Sequence, residues 1–196
     1  MGDSLIQRRK KVGVFGGSFD PIHHGHLQIA QFLEEQATLD EVFFIPAQIS
    51  PFKTSKPPCA SCVHRLEMVL LAIQGLKGMK VLDLECQRPS PSYTIDTILE
   101  LAKDPSLQLF LILSGNSIEN FSSWKNASQL VQIAFPLIAD TAPHLSFPFP
   151  CERFPMPPME VSSSSIRRRL EEGLDCGDLL PSSVLNYIKK NHLYGT

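Results

Sequence analysis

The sequence contains no run of apolar residues long enough to cross a membrane, although 43% of its 196 residues are hydrophobic. Its net charge at pH 7 is only -2, so the total charge gives no strong attraction to nucleic acid. The N-terminal sequence MGDSLIQRRKK has no apolar stretch after its basic residues, so we expect no secretory leader. These absences predict a cytoplasmic protein without a membrane or nucleic-acid partner. The length predicts a single domain over residues 1–196 with a sizeable core.

Cysteines are few and odd in number. The chain has five, and without a leader this predicts reduced thiols in a cytoplasm. Cys59 and Cys62 form a C-x-x-C pair, but the chain has no second such pair, and the surrounding KPPCASC is typical of a loop. A metal or redox role for the pair stays open, and spare loop thiols are the favoured interpretation.

The G-x-G-x-x-G fingerprint of dinucleotide-binding enzymes is missing, and so is the Gly-Lys-Ser/Thr of a Walker loop. Residues 12–26 instead read VGVFGGSFDPIHHGH. A short apolar run ends in Gly16 and Gly17, a loop with Asp-Pro follows, and a helical pattern of apolar residues begins directly afterwards. We therefore expect a strand, a glycine turn and the N-terminus of a helix.

Each part of this segment suits a nucleotide phosphate. Glycines have no Cβ, so a ligand can come close, and a helix start presents unpaired N–H groups at the positive end of the helix dipole. His23 and His26 lie three residues apart and share one face of a helical turn. Imidazoles there can donate to phosphate oxygens, more strongly when protonated. The alternatives are an ordinary strand-to-helix turn and a zinc site, which would need a third ligand.

Strand and helix signals alternate along the chain, which predicts an α/β fold with a mainly parallel sheet. Strands are expected at residues 12–15, 42–45, 81–84, 107–113 and 135–139. Helical patterns occur at residues 27–33, 64–75, 95–101, 130–133, 161–170 and 181–191. Ser92 or Thr94 is expected to cap the third helix, and Gly75 and Gly173 to end the second and fifth. The continuous apolar run LQLFLIL predicts a central fourth strand.

Residues 142–158 break this alternation, because six of them are prolines. Such a segment cannot form a helix or a central strand. We expect an extended connection over the surface, held against the core by Phe147, Phe149 and Phe154.

The sequence SSSSIRRR, which begins at Ser162, is the second informative site. Serines at a helix start can cap it, and their hydroxyls and the free N–H groups can hold phosphate. Arg167 follows within one turn and offers a planar fork of donors. A serine cap followed by a solvated basic helix is the alternative.

GGSFDPIHHGH resembles the G-G-[ST]-F-D-P-x-H-x-G-H signature of bacterial nicotinate-nucleotide adenylyltransferases. It contains the H-x-G-H motif of the wider nucleotidyltransferase superfamily, with His23 and His26 in the two histidine positions. SSSSIR is similar to the family's I-S-S-T-x-I-R. The resemblance covers residues 12 to 194 and implies a Rossmann-like open parallel sheet with helices on both faces. It also implies a C-terminal helical segment, residues 161–196, that completes the ATP site.

The resemblance also implies roles for individual residues. His23 and His26 are the implied catalytic residues, and no residue is implied to bind a metal. The residues implied to bind ATP and its phosphates are Gly16, Gly17, Ser18, Phe19, Lys53, Ser163, Ser164, Ile166 and Arg167. The residues implied to bind a pyridine nucleotide are Thr94, Gly115, Asn116 and Trp124, with Trp124 stacking on the nicotinate ring. Arg65 is a further implied phosphate contact; under the alternative it is an ordinary surface residue, as is Lys53.

Three departures from the family pattern bear on the pyridine nucleotide. Gly115-Asn116-Ser117 stands where the family usually has Gly-Ala-Asp, which removes a carboxylate. Phe52 replaces the histidine before Lys53, and Ala139-Asp140-Thr141 replaces an Arg-Pro-Gly.

The implied reaction is transfer of the adenylyl group of ATP to nicotinate mononucleotide, which forms nicotinic acid adenine dinucleotide and pyrophosphate. Mg²⁺ is implied as the cofactor, held with ATP mainly by phosphates and water. The implied partners are these small molecules, and formation of a homo-oligomer is left open. The alternatives are another acceptor, nicotinamide mononucleotide or phosphopantetheine, and a nucleotide-binding protein without turnover.

Overall fold

The computed structural model describes residues 8–141 and 144–196. The strands of the sheet are β1 Lys10–Gly17, β2 Glu41–Pro46, β3 Met79–Val81, β4 Leu107–Ser114, β5 Phe135–Asp140 and β6 Glu152–Pro155. They form one six-stranded sheet in the order β3-β2-β1-β4-β5-β6. Every neighbouring pair is parallel. The predicted parallel sheet is therefore confirmed, with β1 and β4 at its centre.

The described part of the chain contains seven α-helices. They are α1 His24–Gln36, α2 Cys62–Ile73, α3 Thr94–Leu101, α4 Asn116–Glu119, α5 Ala127–Ile133, α6 Ser163–Glu171 and α7 Ser182–Lys190. Gly75 and Gly173 follow α2 and α6 with φ of +84° and +68°, a conformation that favours glycine, so both predicted stops are confirmed. None of the described helices is both long and apolar enough to cross a membrane.

Side chains of successive strand residues point to opposite faces of the sheet and build two cores. On the first face Phe15, Phe44 and Ile112 pack in one cluster with residues of α1, α2, α6 and α7. On the second face Val14 and Leu111 pack with residues of α3, α4 and α5. The open sheet with helices on both faces and a C-terminal helical part is thus confirmed.

The region between β3 and α3 differs from the prediction in two details. β3 pairs Met79 with Val42 and ends at Val81, so it begins before the predicted strand at 81–84. It ends there because the chain turns at Asp83, whose carbonyl accepts a hydrogen bond from the Gln87 N–H. The N-cap of α3 is Tyr93. Ser92 does not cap the helix, because its hydroxyl accepts the Gln48 N–H at 2.9 Å.

The proline-rich segment forms a sixth strand that the sequence did not predict. β6 lies at the edge of the sheet, where proline is tolerated, and pairs Pro155 with Asp140 of β5. Phe147 and Phe149 pack against the second core and Phe154 against the first, so the predicted anchoring is confirmed. Residues 142 and 143 of this segment lie outside the described part of the chain.

The prediction of reduced thiols is wrong for two of the five cysteines. Cys62 and Cys86 form a disulfide, whereas Cys59, Cys151 and Cys176 are free. Cys62 is the first residue of α2 and not part of a loop. The C-x-x-C spacing gave no sign of this pairing, because the partner of Cys62 lies 24 residues further along the chain.

Candidate active site

The strand order creates a crevice at the carboxyl ends of β1 and β4. Helices α1 and α2 lie on one face of the sheet and α3 and α5 on the other, so the chain leaves these two strands in opposite directions. Ligands of open α/β sheets bind at such a switch point. A cavity of about 460 Å³ lies there, lined by residues that follow β1, β2, β3 and β4.

Most of the residues singled out in the sequence meet at this cavity. The ones that line it are Gly16, Gly17, Ser18, Phe19, His26, Lys53, Thr94 and Trp124. Others lie outside the lining set, namely His23, Gly115, Ser163, Ser164, Ile166 and Arg167. The side chain of Asn116 is outside what the structure describes.

The glycine turn after β1 is shaped by the ring of Phe19. A Cβ on Gly17 would lie 3.0 Å from this ring, closer than ordinary contact, so any larger residue there would press on the ring. Phe19 itself has φ +47°, an unusual conformation for a bulky residue, and its ring is buried. The ring packs edge-on against Phe15 and His26, with centroids 5.7 and 5.1 Å apart. The ring of Phe19 in this turn therefore packs against the His26 ring and helps to fix its position.

The two predicted histidines stack on each other, with ring centroids 3.7 Å apart. The His23 main-chain N–H donates to His26 Nδ1 at 3.3 Å. Neutral His26 must then carry its proton on Nε2, which leaves that N–H as its donor. Gly25 makes this packing possible, because a Cβ there would lie 2.8 Å from Val161 and 3.1 Å from His23 Nδ1.

Burial favours the neutral form of both imidazoles. Burial, and to a lesser extent His24, lowers the pKa of His23 to about 4. Burial, with smaller effects of His23 and Lys53, holds the pKa of His26 well below its usual range. His26, the one of the pair that lines the cavity, therefore offers an anion a neutral N–H donor, and not the protonated ring that would donate more strongly. Among the described residues His23 Nδ1 is buried without a hydrogen-bond partner.

Asp20 ties the first motif to two distant parts of the chain. Its buried carboxylate accepts the Cys59 N–H at 2.8 Å, the Ala60 N–H at 3.0 Å and the Tyr194 hydroxyl at 2.8 Å. Burial, followed by Asp20, raises the pKa of Tyr194 above its usual range, so the phenol stays protonated and donates. The sequence placed Asp20 in the motif but gave no sign of these partners.

The serine-rich helix start is attached to the same loop. Ser162 is the N-cap of α6 and accepts the Ser165 N–H at 3.2 Å. Ser163 Oγ donates to the Pro21 carbonyl at 2.9 Å, and Arg167 Nη1 donates to the Asp20 carbonyl at 2.6 Å. The two motifs, 140 residues and more apart in sequence, are therefore adjacent in space. Ile166 is fully buried, and its side chain packs in the first core and does not line the cavity.

Arg65 does not have the surface position expected of a phosphate contact. Only 1% of its surface is exposed, and its guanidinium donates to three carbonyl groups. The acceptors are Ala60 O at 3.0 Å, Ser18 O at 2.6 Å and Gln48 O at 3.0 Å. Arg65 therefore joins the loops that follow β1 and β2, and the expectation of a free phosphate-binding guanidinium is wrong.

Lys53 lies on the cavity wall in a short 3-10 turn after β2. Its Nζ donates to Ser18 Oγ at 3.1 Å, beside the glycine turn. Burial, and next the charge of Arg167, lowers the pKa of Lys53 below its usual value. An anion bound here would offset both effects, so the site is suited to a phosphate group.

Aromatic residues form the wall on the β4 side. Trp124 packs on the buried Phe121 with centroids 5.0 Å apart and lines the cavity together with Tyr93. Lys125 also lines it, with Nζ 4.4 Å from the centroid of the Tyr93 ring. Lys125 was not predicted as a site residue, although its position directly after Trp124 was a usable signal.

Buried Glu85 is the second cavity residue that the sequence did not reveal. Its Oε1 accepts the Thr97 hydroxyl at 2.7 Å, and Thr97 in turn accepts from Arg88 Nη1 at 3.0 Å. Burial raises the pKa of Glu85. Nothing in the local sequence separates this acid from a surface one, because its burial depends on contacts with α3.

Two departures from the family pattern can be placed. Phe52 is exposed and lines the cavity beside Lys53. Asp140 at the end of β5 binds Arg153 of β6 through two hydrogen bonds of 2.9 Å. The charge of Asp140 is therefore engaged within the sheet edge and does not line the cavity.

Comparisons with known proteins agree with this architecture. The family model described as cytidylyltransferase-like matches residues 14–169. The nicotinate-nucleotide adenylyltransferase of Bacillus subtilis (strain 168) is 39% identical over 187 residues, covering 94% of this chain and 98% of the relative. A probable nicotinate-nucleotide adenylyltransferase of Methylacidiphilum infernorum is 37% identical over 188 residues, covering 94% of this chain and 92% of the relative.

Solved structures show the same fold. A nicotinic acid mononucleotide adenylyltransferase of Plasmodium falciparum, complexed with NaAD, superimposes with a TM-score of 0.76 at 21% identity, over 95% of this chain and 98% of that chain. A putative nicotinate-nucleotide adenylyltransferase of Vibrio parahaemolyticus gives a TM-score of 0.69 at 21% identity, over 95% of this chain and 96% of that chain.

The switch-point cavity, its histidine pair and the matching family model define a cytidylyltransferase-like nucleotidyltransferase. Within that class the chain belongs to the nicotinate-nucleotide adenylyltransferase family. The resemblance read from the sequence is thereby confirmed.

Proposed function

We propose that this chain transfers the adenylyl group of ATP to nicotinate mononucleotide and releases pyrophosphate. Membership of an ATP-using family of nucleotidyltransferases supports the reaction. The observation that carries the proposal is the cavity itself. One continuous wall joins His26 and Lys53, which suit phosphates, to Trp124, which suits an aromatic ring.

In the reaction, an oxygen of the mononucleotide phosphate attacks the α-phosphorus of ATP. The bond from that phosphorus to the bridging oxygen breaks, and pyrophosphate leaves with the electron pair. The nucleophile is already an anion, so no protein base and no covalent intermediate are required. Catalysis therefore consists of positioning the two phosphates and stabilising the charge that develops between them.

Each motif has a proposed role in this arrangement. The Nε2–H of His26 donates to a phosphate oxygen, and His23 holds the His26 ring in place by stacking. The turn at Gly16 to Phe19, with Lys53, contacts the phosphates of ATP. The N-terminus of α6, at Ser163 and Ser164, and Arg167 complete the ATP site from the C-terminal part of the same domain.

On the opposite side, Trp124 stacks on the pyridine ring. Thr94 at the start of α3 and the turn at Gly115 and Asn116 contact the rest of the mononucleotide. Thr94 and Trp124 both line the cavity, which supports this placement.

Mg²⁺ enters as part of the MgATP substrate. No group of three or more His, Cys, Asp or Glu side chains with metal-binding geometry occurs among the residues that the structure describes. We propose that the ion is held by the triphosphate and water, as is usual for magnesium. We further propose that the enzyme works in the cytoplasm on these small molecules, without nucleic acid, as one domain.

Pyrophosphate release from MgATP tests the reaction. Nicotinate mononucleotide, nicotinamide mononucleotide and phosphopantetheine are supplied in parallel reactions, and the ratio of kcat/KM values gives the acceptor preference. We expect the largest value with nicotinate mononucleotide. Folded protein that binds ATP but releases no pyrophosphate with any acceptor would overturn the proposal.

A further inference from the structure

Two lysines line the cavity on opposite sides of β1. Lys53 follows β2 and Lys125 follows β4, and β1 lies between these strands in the sheet. Lys53 is next to Ser18 in the phosphate-binding turn. Lys125 is next to Trp124 and so lies beside the surface on which an aromatic ring would stack. The two charges can therefore meet different parts of one bound molecule.

The present partners of Lys125 bind it weakly. Its Nζ lies 3.3 Å from both carboxylate oxygens of Asp96, and 45% of each side chain is exposed. Exposed ion pairs of this kind contribute only about 0.2–1 kcal/mol. The ammonium nitrogen of Lys125 also lies 4.4 Å from the centroid of the Tyr93 ring, and both residues line the cavity. A second carboxylate brought into the cavity can thus share or replace Asp96.

Acidic side chains at this end of the cavity disfavour a ligand carboxylate unless a cation offsets them. Glu85 lines the same cavity, and Asp96 lies beside Lys125. The Glu85 carboxyl is oriented by Thr97, which also accepts from Arg88. Without Lys125, a ring that carries a carboxylate would enter a cavity lined by the Glu85 carboxyl, with no cation on the wall beside Trp124.

We propose that Lys125 is a specificity-determining residue that pairs with a carboxylate on the pyridine ring and so favours nicotinate over nicotinamide mononucleotide. The two acceptors differ only in that a carboxylate replaces a carboxamide. A cation distinguishes these groups by charge, while Trp124 stacks on both rings alike. This inference rests on the proposed function and assigns its acceptor preference to one side chain.

Substitution of Lys125 tests the proposal. Lys125→Gln removes the charge and keeps much of the side chain, and Lys125→Arg keeps the charge. With Lys125→Gln we expect kcat/KM for nicotinate mononucleotide to fall about tenfold, mainly through KM, since a hydrogen bond to a charged group is lost. The value for nicotinamide mononucleotide should change less than about twofold. Lys125→Arg should keep the ratio of the two values within about threefold of wild type.

Binding can be followed without turnover, because Trp124 is the one tryptophan in the sequence. Titration of each mononucleotide against Trp124 fluorescence gives the Kd values directly. With Lys125→Gln the Kd of nicotinate mononucleotide should rise about tenfold, and that of nicotinamide mononucleotide should stay within about twofold.

Asp96→Asn separates recognition from a structural ion pair. If Lys125 recognises the carboxylate, removal of its competitor should leave nicotinate binding unchanged or tighten it by up to about fivefold. If Lys125 serves only to pair with Asp96, both variants should act alike and leave the acceptor ratio unchanged, which overturns the inference. Wild type that adenylylates neither mononucleotide contradicts the proposed function instead. The two failures are therefore distinguishable.

Discussion

The hydroxyl of Tyr194 donates to Oδ1 of Asp20 at 2.8 Å, and both groups are buried although 174 residues separate them in sequence. Asp20 lies in the loop between the glycine turn and the histidine pair. Tyr194 follows the last helix, α7. The C-terminal part of the fold therefore holds the loop that leads into the stacked histidine pair.

Tyr194→Phe should lower the free energy of unfolding by about 1–3 kcal/mol, because a buried carboxylate loses one of its donors. Urea denaturation measures the change. Tyr187→Phe is the matched control, since its hydroxyl pairs with His64 Nδ1 at 2.8 Å in a partly exposed position. We expect the control to cost less than about 1 kcal/mol. Equal losses in the two variants would contradict a special role for the Asp20 contact.

Arg65→Lys should destabilise the protein by about 3 kcal/mol, because one ammonium group cannot replace a planar donor that binds three carbonyls. The KM for ATP should stay within about threefold of wild type at a temperature where the variant is folded. Thermal unfolding measures the loss of stability, and steady-state kinetics measure the KM for ATP. A raised KM at unchanged stability would restore the role of a phosphate contact.

His26→Ala should lower kcat by about 10²–10³, the usual cost of losing one donor to a developing charge. His24→Ala is the control, because His24 lies two residues before His26 and does not line the cavity. It should keep kcat within about threefold of wild type. Circular dichroism confirms that both variants are folded. If folded His26→Ala also kept kcat within about threefold, the proposed role would be lost.

Stability should fall as the pH is lowered from 6.5 to about 4, because His23 stays neutral in the folded protein until pH about 4. The unfolded chain binds a proton near pH 6.5, so protons favour unfolding throughout this interval. The full contribution is present above pH 6.5, and its loss amounts to roughly 3 kcal/mol. Unfolding free energies of wild type and His23→Gln, measured from pH 7.5 to 4, test this. Parallel curves would exclude His23 as the source.

The disulfide between Cys62 and Cys86 can be checked by counting thiols. Protein unfolded without reductant should show three reactive thiols out of five cysteines, since two are paired. Five reactive thiols would contradict the disulfide. Reduction should lower the free energy of unfolding by about 3 kcal/mol, because it releases a loop of 24 residues. The double variant Cys62→Ser/Cys86→Ser should be insensitive to reductant.

Features that depend on neighbours in sequence were predictable. The apolar runs of β1 and β4 and the glycine stop at Gly75 are local patterns, and each appears in the structure. Gly17 and His26 belong to one short segment, so their meeting at the cavity required no knowledge of the rest of the chain.

Features that depend on distant partners were not predictable. The head group of Arg65 could have met phosphate or protein carbonyls, and its sequence neighbours are the same in both cases. The partners of Asp20 and Cys62 lie far along the chain. Strand β6 has only four residues and ends in a proline, so neither its length nor its composition indicates a strand.

The attachment of Asp20 and Pro21 to residues 163, 167 and 194 has a consequence for biosynthesis. A ribosome makes the histidine motif first and its supports last, so a nascent chain holds an unfinished nucleotide site for most of its synthesis. That site is complete only after residues 163, 167 and 194 have made these contacts. MgATP should therefore accelerate or stabilise only the final step of maturation, and its binding would report that a newly made molecule is complete.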